Sequence, residues 1–267
     1  MNARYRASEI DLGPGADQAF LAIIETSPST LQRHEMKLTI LRFALASITA
    51  VTLVACGGGD DATPAGGPPV YVNTDGTTNV DSTVLDSSLS ALPLEDLSQA
   101  EMASLAYMRE EEKLAHDVYA RLDSLWGSQV RVFGNIAQSE ATHTEAVRQL
   151  LIRYNVPDPA AISTEGMFAN VTLQQLYYDL VDQGAPSQVA ALQVGALIEE
   201  LDIFDIRSAL ELIDNKDIRL VYESLMKGSR NHLRSFVKTL TQQGEIYSPI
   251  YLSQEDFDAI VTTPIER

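Results

Sequence analysis

The feature that most constrains this chain is a Glu and a His three residues apart on the apolar face of a predicted helix. Residues three and four apart share one face of a helix, and from 133 to 154 they are Phe133, Ile136, Glu140, His143, Val147, Leu150 and Tyr154. Five of these seven are apolar or aromatic, so the face packs against a core. A carboxylate there is costly unless it is paired or bound to a cation. Glu140 and His143 can both reach one metal ion.

Three further segments show the same helical period, each with one candidate ligand on an otherwise apolar face. They span about residues 98–126, 187–212 and 215–241, and their candidates are Glu112, Glu199 and His232. A capping-box pattern from Ser98 to Glu101 marks the start of the first segment. A long link, 155–187, separates the second and third helices and holds a short helix of its own. The sequence therefore predicts an all-α four-helix bundle with a long crossover between helices 2 and 3.

Other polar residues lie on or near these faces. Glu110 points away from the Glu112 face and Glu111 lies at its edge, while Asp202 lies near the edge of the Glu199 face. The ordinary interpretation of a run of glutamates is a solvated helix surface. Tyr119 lies two turns beyond Glu112, where its hydroxyl is a candidate partner for a ligand, although such a Tyr is more often a core residue.

Carboxylate oxygens and imidazole nitrogens together suit iron, manganese or zinc, and the absence of thiolates in these helices argues against an iron–sulfur cluster. The alternative interpretation is a metal-free cluster of buried polar groups that hydrogen-bond to one another.

Four blocks of sequence, each in phase with an apolar face, carry a resemblance to a known family. They are the segments Glu112–Tyr119, Ser139–His143, Gly195–Asp205 and Gly228–Phe236. The chain resembles, over about residues 93–245, the uncharacterised bacterial and archaeal DUF2202 family, a ferritin-like group related to rubrerythrin. The resemblance implies a ferritin-like bundle and a metal site with the ligands Glu112, Glu140, His143, Glu199 and His232.

One position departs from the ferritin-like pattern. Ser229 stands three residues before His232, where that pattern has a second bridging Glu. A hydroxyl is a poor substitute for a bridging carboxylate, so one ion or two remain alternatives unless Asp202 or Glu111 turns inward. The expected cofactor is iron or manganese, mononuclear or dinuclear, with zinc as a further candidate.

The beginning of the chain resembles a bacterial lipoprotein signal peptide over residues 36–55. A short basic start at Met36 is followed by an apolar run of about a dozen residues and then by small residues. This run is shorter than the roughly 20 residues of a transmembrane helix. Leu53–Cys56 resembles a lipobox, in which Cys56 is the lipidated residue. We expect residues 1–35 to be a spurious extension before the true start.

The lipoprotein resemblance implies export across the inner membrane and a lipid anchor in the outer membrane, facing the periplasm, because Gly57 rather than Asp follows Cys56. Residues 56–92, rich in Gly, Ser, Thr, Asp and Pro, are predicted to be a flexible tether. The final segment, 246–267, is predicted to hold a short helix near 254–260.

The formal charge of −18 excludes sequence-independent nucleic-acid binding, which needs a basic surface. The predicted partners are a metal ion and, through the anchor, a membrane; a homodimer stays open. Three functions remain: a di-metal oxidoreductase acting on peroxide or oxygen, a metal-binding protein without turnover, and a metal-free structural or partner-binding lipoprotein. The sequence assigns no catalytic residue.

Overall fold

Seven helices and two short strands lie in the part of the chain that this computed structural model describes, residues 70–73, 76–162 and 164–267. The strands are β1 (Val70–Val72) and β2 (Thr78–Val80), and the helices are α1 (Ser82–Ser90), α2 (Gln99–Trp126), α3 (Val132–Arg153), α4 (Val171–Gly184), α5 (Gln188–Leu210), α6 (Lys216–Gln242) and α7 (Gln254–Val261). The prediction of an all-α helical bundle is confirmed. The predicted extension, signal peptide and Cys56 lie outside the described residues.

The four long helices α2, α3, α5 and α6 form the bundle. Helix α2 packs along α3 and α5 packs along α6, and the two pairs meet where α2 contacts α5 and α3 contacts α6. The predicted apolar faces are buried with at most 1% of their surface exposed, as shown by Leu105, Met108, Phe133, Ile136, Val147, Leu150, Leu192, Ile203, Ile206, Ile218, Leu225 and Phe236. Among the described residues, no helix combines the length and apolar character needed to cross a bilayer.

The start of α2 has the capping box that the sequence predicts. Ser98 Oγ accepts a hydrogen bond from Glu101 N at 3.1 Å, and Glu101 Oε2 accepts one from Ser98 N at 2.9 Å. The other Glu101 oxygen accepts from the backbone N–H groups of Asp214 and Asn215. One carboxylate therefore stabilises the start of α2 and joins it to the loop before α6.

The crossover between α3 and α5 covers the side of α2 on which Glu110 lies. The Glu110 carboxylate is 3% exposed and accepts hydrogen bonds from Ala169 N at 2.5 Å and Asn170 N at 2.9 Å, just before α4. The pattern placed Glu110 away from the bundle face, which is correct, but that side is not solvated. The link supplies backbone donors that the helical period of α2 cannot reveal.

The folded part of the chain begins earlier than the sequence predicts. Strands β1 and β2 pair antiparallel, with Tyr71 opposite Asn79, and β2 packs against α3. In α1, Leu85 and Leu89 are 1% and 3% exposed and join the bundle core. The assignment of a flexible tether up to residue 92 is therefore wrong for the described residues of that range. Three-residue strands and a nine-residue helix are too short to show a period.

The segment after α6 is held against α5 by one buried carboxylate. Glu200 is fully buried and accepts hydrogen bonds from the backbone N–H groups of Ile250, Tyr251 and Leu252, and from the Tyr247 hydroxyl. This carboxylate satisfies donors of a loop that has no regular structure, and so fixes the approach to α7.

We expect Glu200→Gln to lower the thermal midpoint of unfolding by about 5–10 °C. The amide keeps one acceptor oxygen but replaces the other with an N–H₂ group and removes the negative charge that binds these donors, a loss of about 2–3 kcal/mol. Thermal unfolding followed by circular dichroism measures the change. Glu211→Gln, which removes an exposed charge just past the end of the same helix, is the matched control. Equal midpoints for the two variants would contradict this role for Glu200.

Candidate metal centre

The structure brings all five predicted ligands together in the middle of the bundle. Glu112 comes from α2, Glu140 and His143 from α3, Glu199 from α5 and His232 from α6, and each is at most 3% exposed. They form two groups of three, Glu112–Glu140–His143 and Glu140–Glu199–His232. Within each group the ligand atoms all lie within 4.8 Å of one another. Glu140 belongs to both.

Glu140 offers one oxygen to each half of the cluster. Its Oε2 lies 2.9 Å from His143 Nδ1, and its Oε1 lies 2.8 Å from His232 Nδ1. The outer carboxylates repeat this symmetry, since Glu112 Oε2 lies 3.4 Å from His143 Nδ1 and Glu199 Oε2 lies 3.5 Å from His232 Nδ1. The imidazole rings stack with centroids 5.5 Å apart and planes inclined by 20°.

The two Nδ1 atoms are buried without a hydrogen-bond partner, despite the carboxylate oxygens beside them. Glu112 Oε1 is likewise without a partner. A shared proton requires the donor to point at the acceptor, and here the nitrogen and oxygen atoms instead converge. Lone pairs that converge in a buried site fit a shared cation, and this donor set of carboxylates and imidazoles suits iron, manganese or zinc.

The charge of the buried groups is also compatible with a bound cation. Six carboxylates lie close together in the bundle with two imidazoles; they are those of Glu111, Glu112, Glu140, Glu199, Asp202 and Asp205, none more than 7% exposed. Removing an unpaired charge from water is unfavourable by several kcal/mol. The surplus of negative charge therefore requires bound cations or bound protons.

The pKa values of the cluster show how it titrates without a metal. Burial raises the pKa of Glu112 to about 7 and also raises that of Glu199. Burial alone would lower the pKa of the imidazoles, but the carboxylates outweigh it and raise the pKa of His232 to about 9 and that of His143 well above its ordinary value. Burial would raise the pKa of Glu140, but the two imidazoles outweigh it and hold the pKa well below the usual range.

Ser229 occupies the place of the expected second bridging carboxylate and holds an aspartate from the facing helix. Its hydroxyl donates to Asp202 Oδ2, and the other Asp202 oxygen has no hydrogen-bond partner. Burial, followed by the charge of Glu112, raises the pKa of Asp202 well above its ordinary value. Asp202 is inward as the sequence analysis allowed, but it does not join either ligand group.

Glu111 is buried beside Asp205 rather than among the ligands. Neither of its oxygens has a hydrogen-bond partner. Burial, followed by the charge of Asp205, raises the pKa of Glu111 well above its ordinary value. Asp205 also accepts a hydrogen bond from the Tyr107 hydroxyl at 3.3 Å. Like Asp202, Glu111 is inward but outside both ligand groups.

Tyr119 contacts Glu199, one of the predicted ligands, directly. Its hydroxyl donates to Glu199 Oε1 at 2.6 Å, and its ring packs tilted on Phe236 with centroids 5.3 Å apart. This bond directs the other Glu199 oxygen towards His232.

Thr78, on β2, is the residue of the centre that the sequence analysis missed. Its Oγ1 lies 2.8 Å from His143 Nε2 and 3.2 Å from His232 Nε2, and it is fully buried. Its backbone N–H donates to Ser139 Oγ at 2.9 Å. A threonine in a short polar segment, with no period and far from the bundle in sequence, carries no signal of such a role.

Comparisons with known proteins agree on one group of relatives. The family described as an uncharacterised protein domain, DUF2202, matches residues 101–264. An uncharacterised protein of Methanocaldococcus jannaschii, MJ0754, is 48% identical over 179 residues, which cover 67% of this chain and 96% of the relative. The crystal structure of that organism's hypothetical protein MJ0754 superposes with a TM-score of 0.64 at 47% identity, covering 66% of this chain and 99% of the solved one.

We expect the metal-free protein to lose thermal stability as the pH rises from about 5 to about 9. Glu112, with a folded pKa of about 7 against an ordinary 4.5, and His232, with about 9 against 6.5, both bind protons more tightly when folded. A raised pKa gives stability below the unfolded value that is lost as the pH passes the folded value. The low pKa of Glu140 acts only below this range.

The thermal midpoint of chelator-treated protein, measured at constant ionic strength, tests this. Glu112→Gln is expected to flatten the decline between pH 4.5 and 7, while Glu211→Gln keeps the wild-type slope. A midpoint that rises steadily to pH 9 would show that the cluster does not titrate in this way.

Proposed function

This chain belongs to the DUF2202 family, and we propose that its domain is a ferritin-like bundle that binds iron or manganese between its helices. The sharing of Glu140 by two groups of three ligands carries this proposal. Ferritin-like di-metal proteins draw ligands from four facing helices in the same way, with a Glu-x-x-His motif on a helix of the bundle. Glu140 and His143 supply that motif here.

The geometry favours two ions, each of which would be held by one oxygen of Glu140. Each half offers one imidazole, one outer carboxylate and one oxygen of Glu140, so the two halves present the same set of donor groups. Mainly oxygen ligands with one imidazole per ion favour iron or manganese over zinc, which prefers more nitrogen or sulfur ligands. Because residue 229 is a serine, Glu140 is the one carboxylate that the two groups share, and it would be the residue that holds both ions.

Bound iron or manganese would supply redox chemistry towards peroxide or oxygen. The chain's own contribution is to hold the donors in place and to exclude bulk water. Tyr119 orients Glu199 by its hydrogen bond, and the apolar faces of the four helices enclose the cluster. Fold alone does not decide between turnover and storage.

We also propose that the domain works outside the cytoplasm, tethered to the outer membrane through a lipid on Cys56. The lipobox-like segment and the apolar run before it support this location. Residues 57–69 separate Cys56 from β1, so the tether of this proposal is shorter than the sequence pattern suggests.

The competing function is that of a structural or partner-binding lipoprotein with a metal-free polar cluster. The Glu140 contacts of 2.8 and 2.9 Å to the two imidazoles favour it, because those are also distances of ion pairs. Protons would then replace the metal.

Metal analysis of the purified wild-type protein, prepared without a chelator, distinguishes these functions. We expect about two equivalents of iron or manganese, because there are two groups of ligands. Glu140→Gln is expected to abolish binding of both ions, since both groups share Glu140. Glu112→Gln and Glu199→Gln are each expected to remove about one equivalent.

The three consecutive glutamates of α2 provide the matched control. Glu110→Gln removes an equally buried carboxylate that binds the α4 approach instead of the cluster, so it is expected to lower stability and leave the metal content unchanged. If Glu110→Gln also lost metal, the metal loss in the ligand variants would be explained by general destabilisation of the bundle. A folded wild-type protein without metal would favour the metal-free function.

Turnover is tested separately on protein loaded with iron(II). An oxidoreductase is expected to consume hydrogen peroxide or oxygen over many cycles with an added reductant, whereas a binding protein stops after consuming an amount close to its iron. Tyr119→Phe, which removes the hydroxyl beside Glu199, is expected to slow the reaction about tenfold or more if the orientation of Glu199 matters. An unchanged rate would make Tyr119 a packing residue.

A further inference from the structure

A single hydroxyl from outside the four-helix bundle contacts both imidazoles of the centre. Thr78 Oγ1 lies on the Nε2 side of His143 and His232, opposite the Nδ1 atoms that face Glu140. Thr78 precedes the 101–264 segment that matches the family. The centre therefore includes a residue from an element that the bundle motifs do not contain.

The single proton of the Thr78 hydroxyl limits the direction of these hydrogen bonds. A threonine hydroxyl can accept two hydrogen bonds but donate only one. If Thr78 donated to one ring, that Nε2 would carry no proton, and the ring proton would lie on Nδ1, an atom that is buried without a hydrogen-bond partner. Both contacts are hydrogen bonds at the same time, with no proton on an unpartnered Nδ1, when both Nε2–H groups donate to Thr78 Oγ1. Both Nδ1 atoms then face the shared carboxylate, on the side where a metal ion would be held.

The chain around Thr78 is built so that the hydroxyl stays in this position. Ser139, one residue before Glu140, accepts the Thr78 N–H at 2.9 Å. At Gly228 on α6, a Cβ atom would lie 2.5 Å from His143 Cε1 and 3.2 Å from Thr78 Oγ1, so only glycine allows this close approach. The turn before β2 lies against α6, and Gly76 there has a φ of +91°.

We propose that Thr78 is a positioning residue that holds both histidines in the Nε2–H form and thereby reserves both Nδ1 atoms for metal. The metal part of this inference rests on the proposed function, whereas the assignment of the ring protons does not. Partners of this kind behind metal-binding histidines commonly change metal affinity by 10- to 100-fold. Here one hydroxyl serves two ligands, so its loss is expected to weaken both halves together.

The test compares wild-type protein with Thr78→Val, which keeps the shape and removes the hydroxyl, and with Thr78→Ser, which keeps the hydroxyl. Metal affinity is measured by competition with a chelator, using manganese(II) and zinc(II). Histidine ring protons are followed by ¹H–¹⁵N NMR, in metal-free and in zinc-loaded protein. We expect two slowly exchanging Nε2–H signals in the wild type and in Thr78→Ser, and their loss in Thr78→Val with at least tenfold weaker binding of both ions.

Thr77→Val is the control for damage to the hairpin, because Thr77 Oγ1 accepts a hydrogen bond from Asn73 within it. Equal losses of metal affinity in Thr77→Val and Thr78→Val would overturn the proposal. It would also be overturned if Thr78→Val kept both the Nε2–H signals and the metal affinity of the wild type. The wild-type protein could show protected Nε2–H signals that are lost in Thr78→Val and yet bind no metal. That result would support the assignment of the ring protons and overturn only the proposed function.

Discussion

The rest of this structure depends on the burial of more carboxylates than the protein's own cations can neutralise. Glu140 lies between two imidazoles, while Glu112, Glu199 and Asp202 are buried around it with raised pKa values. Four helices packed on apolar residues would be more stable with apolar side chains at these positions. Such a cluster could hold a metal ion, and the converging Nδ1 and carboxylate atoms fit a cation better than a shared proton.

Helical period predicted much of this arrangement, because a bundle ligand must lie on the same face as the core residues. Glu112, Glu140, His143, Glu199 and His232 interrupt apolar faces, and all five meet in the structure. The period gives the direction of a side chain but not what covers the other sides of its helix. The period was therefore compatible with a solvent-exposed Glu110, whereas the crossover buries this side chain.

The parts that the sequence did not predict are polar contacts that involve a loop or a very short element. Glu200 accepts from three successive residues of a loop, and Thr78 enters the centre from a three-residue strand. Neither interaction repeats along the chain, so neither produces a pattern. The low apolar content before residue 92 indicated a tether, although α1 buries two leucines in the core. A short element needs only a few such residues to be fixed on a large bundle.

Ser229, at the position where a ferritin-like site would have a second glutamate, contacts an acid of the facing helix. Its hydroxyl donates to Asp202, which lies on α5 one turn beyond Glu199. A glutamate at 229 would bring a further negative charge to a carboxylate that already has a raised pKa. Compared with a ferritin-like site, α6 therefore carries a hydroxyl in place of a carboxylate, and the facing helix α5 carries the carboxylate of Asp202. The centre keeps an acid near its middle that is hydrogen-bonded to Ser229 and lies outside both ligand groups, so Glu140 remains the residue that joins the two halves.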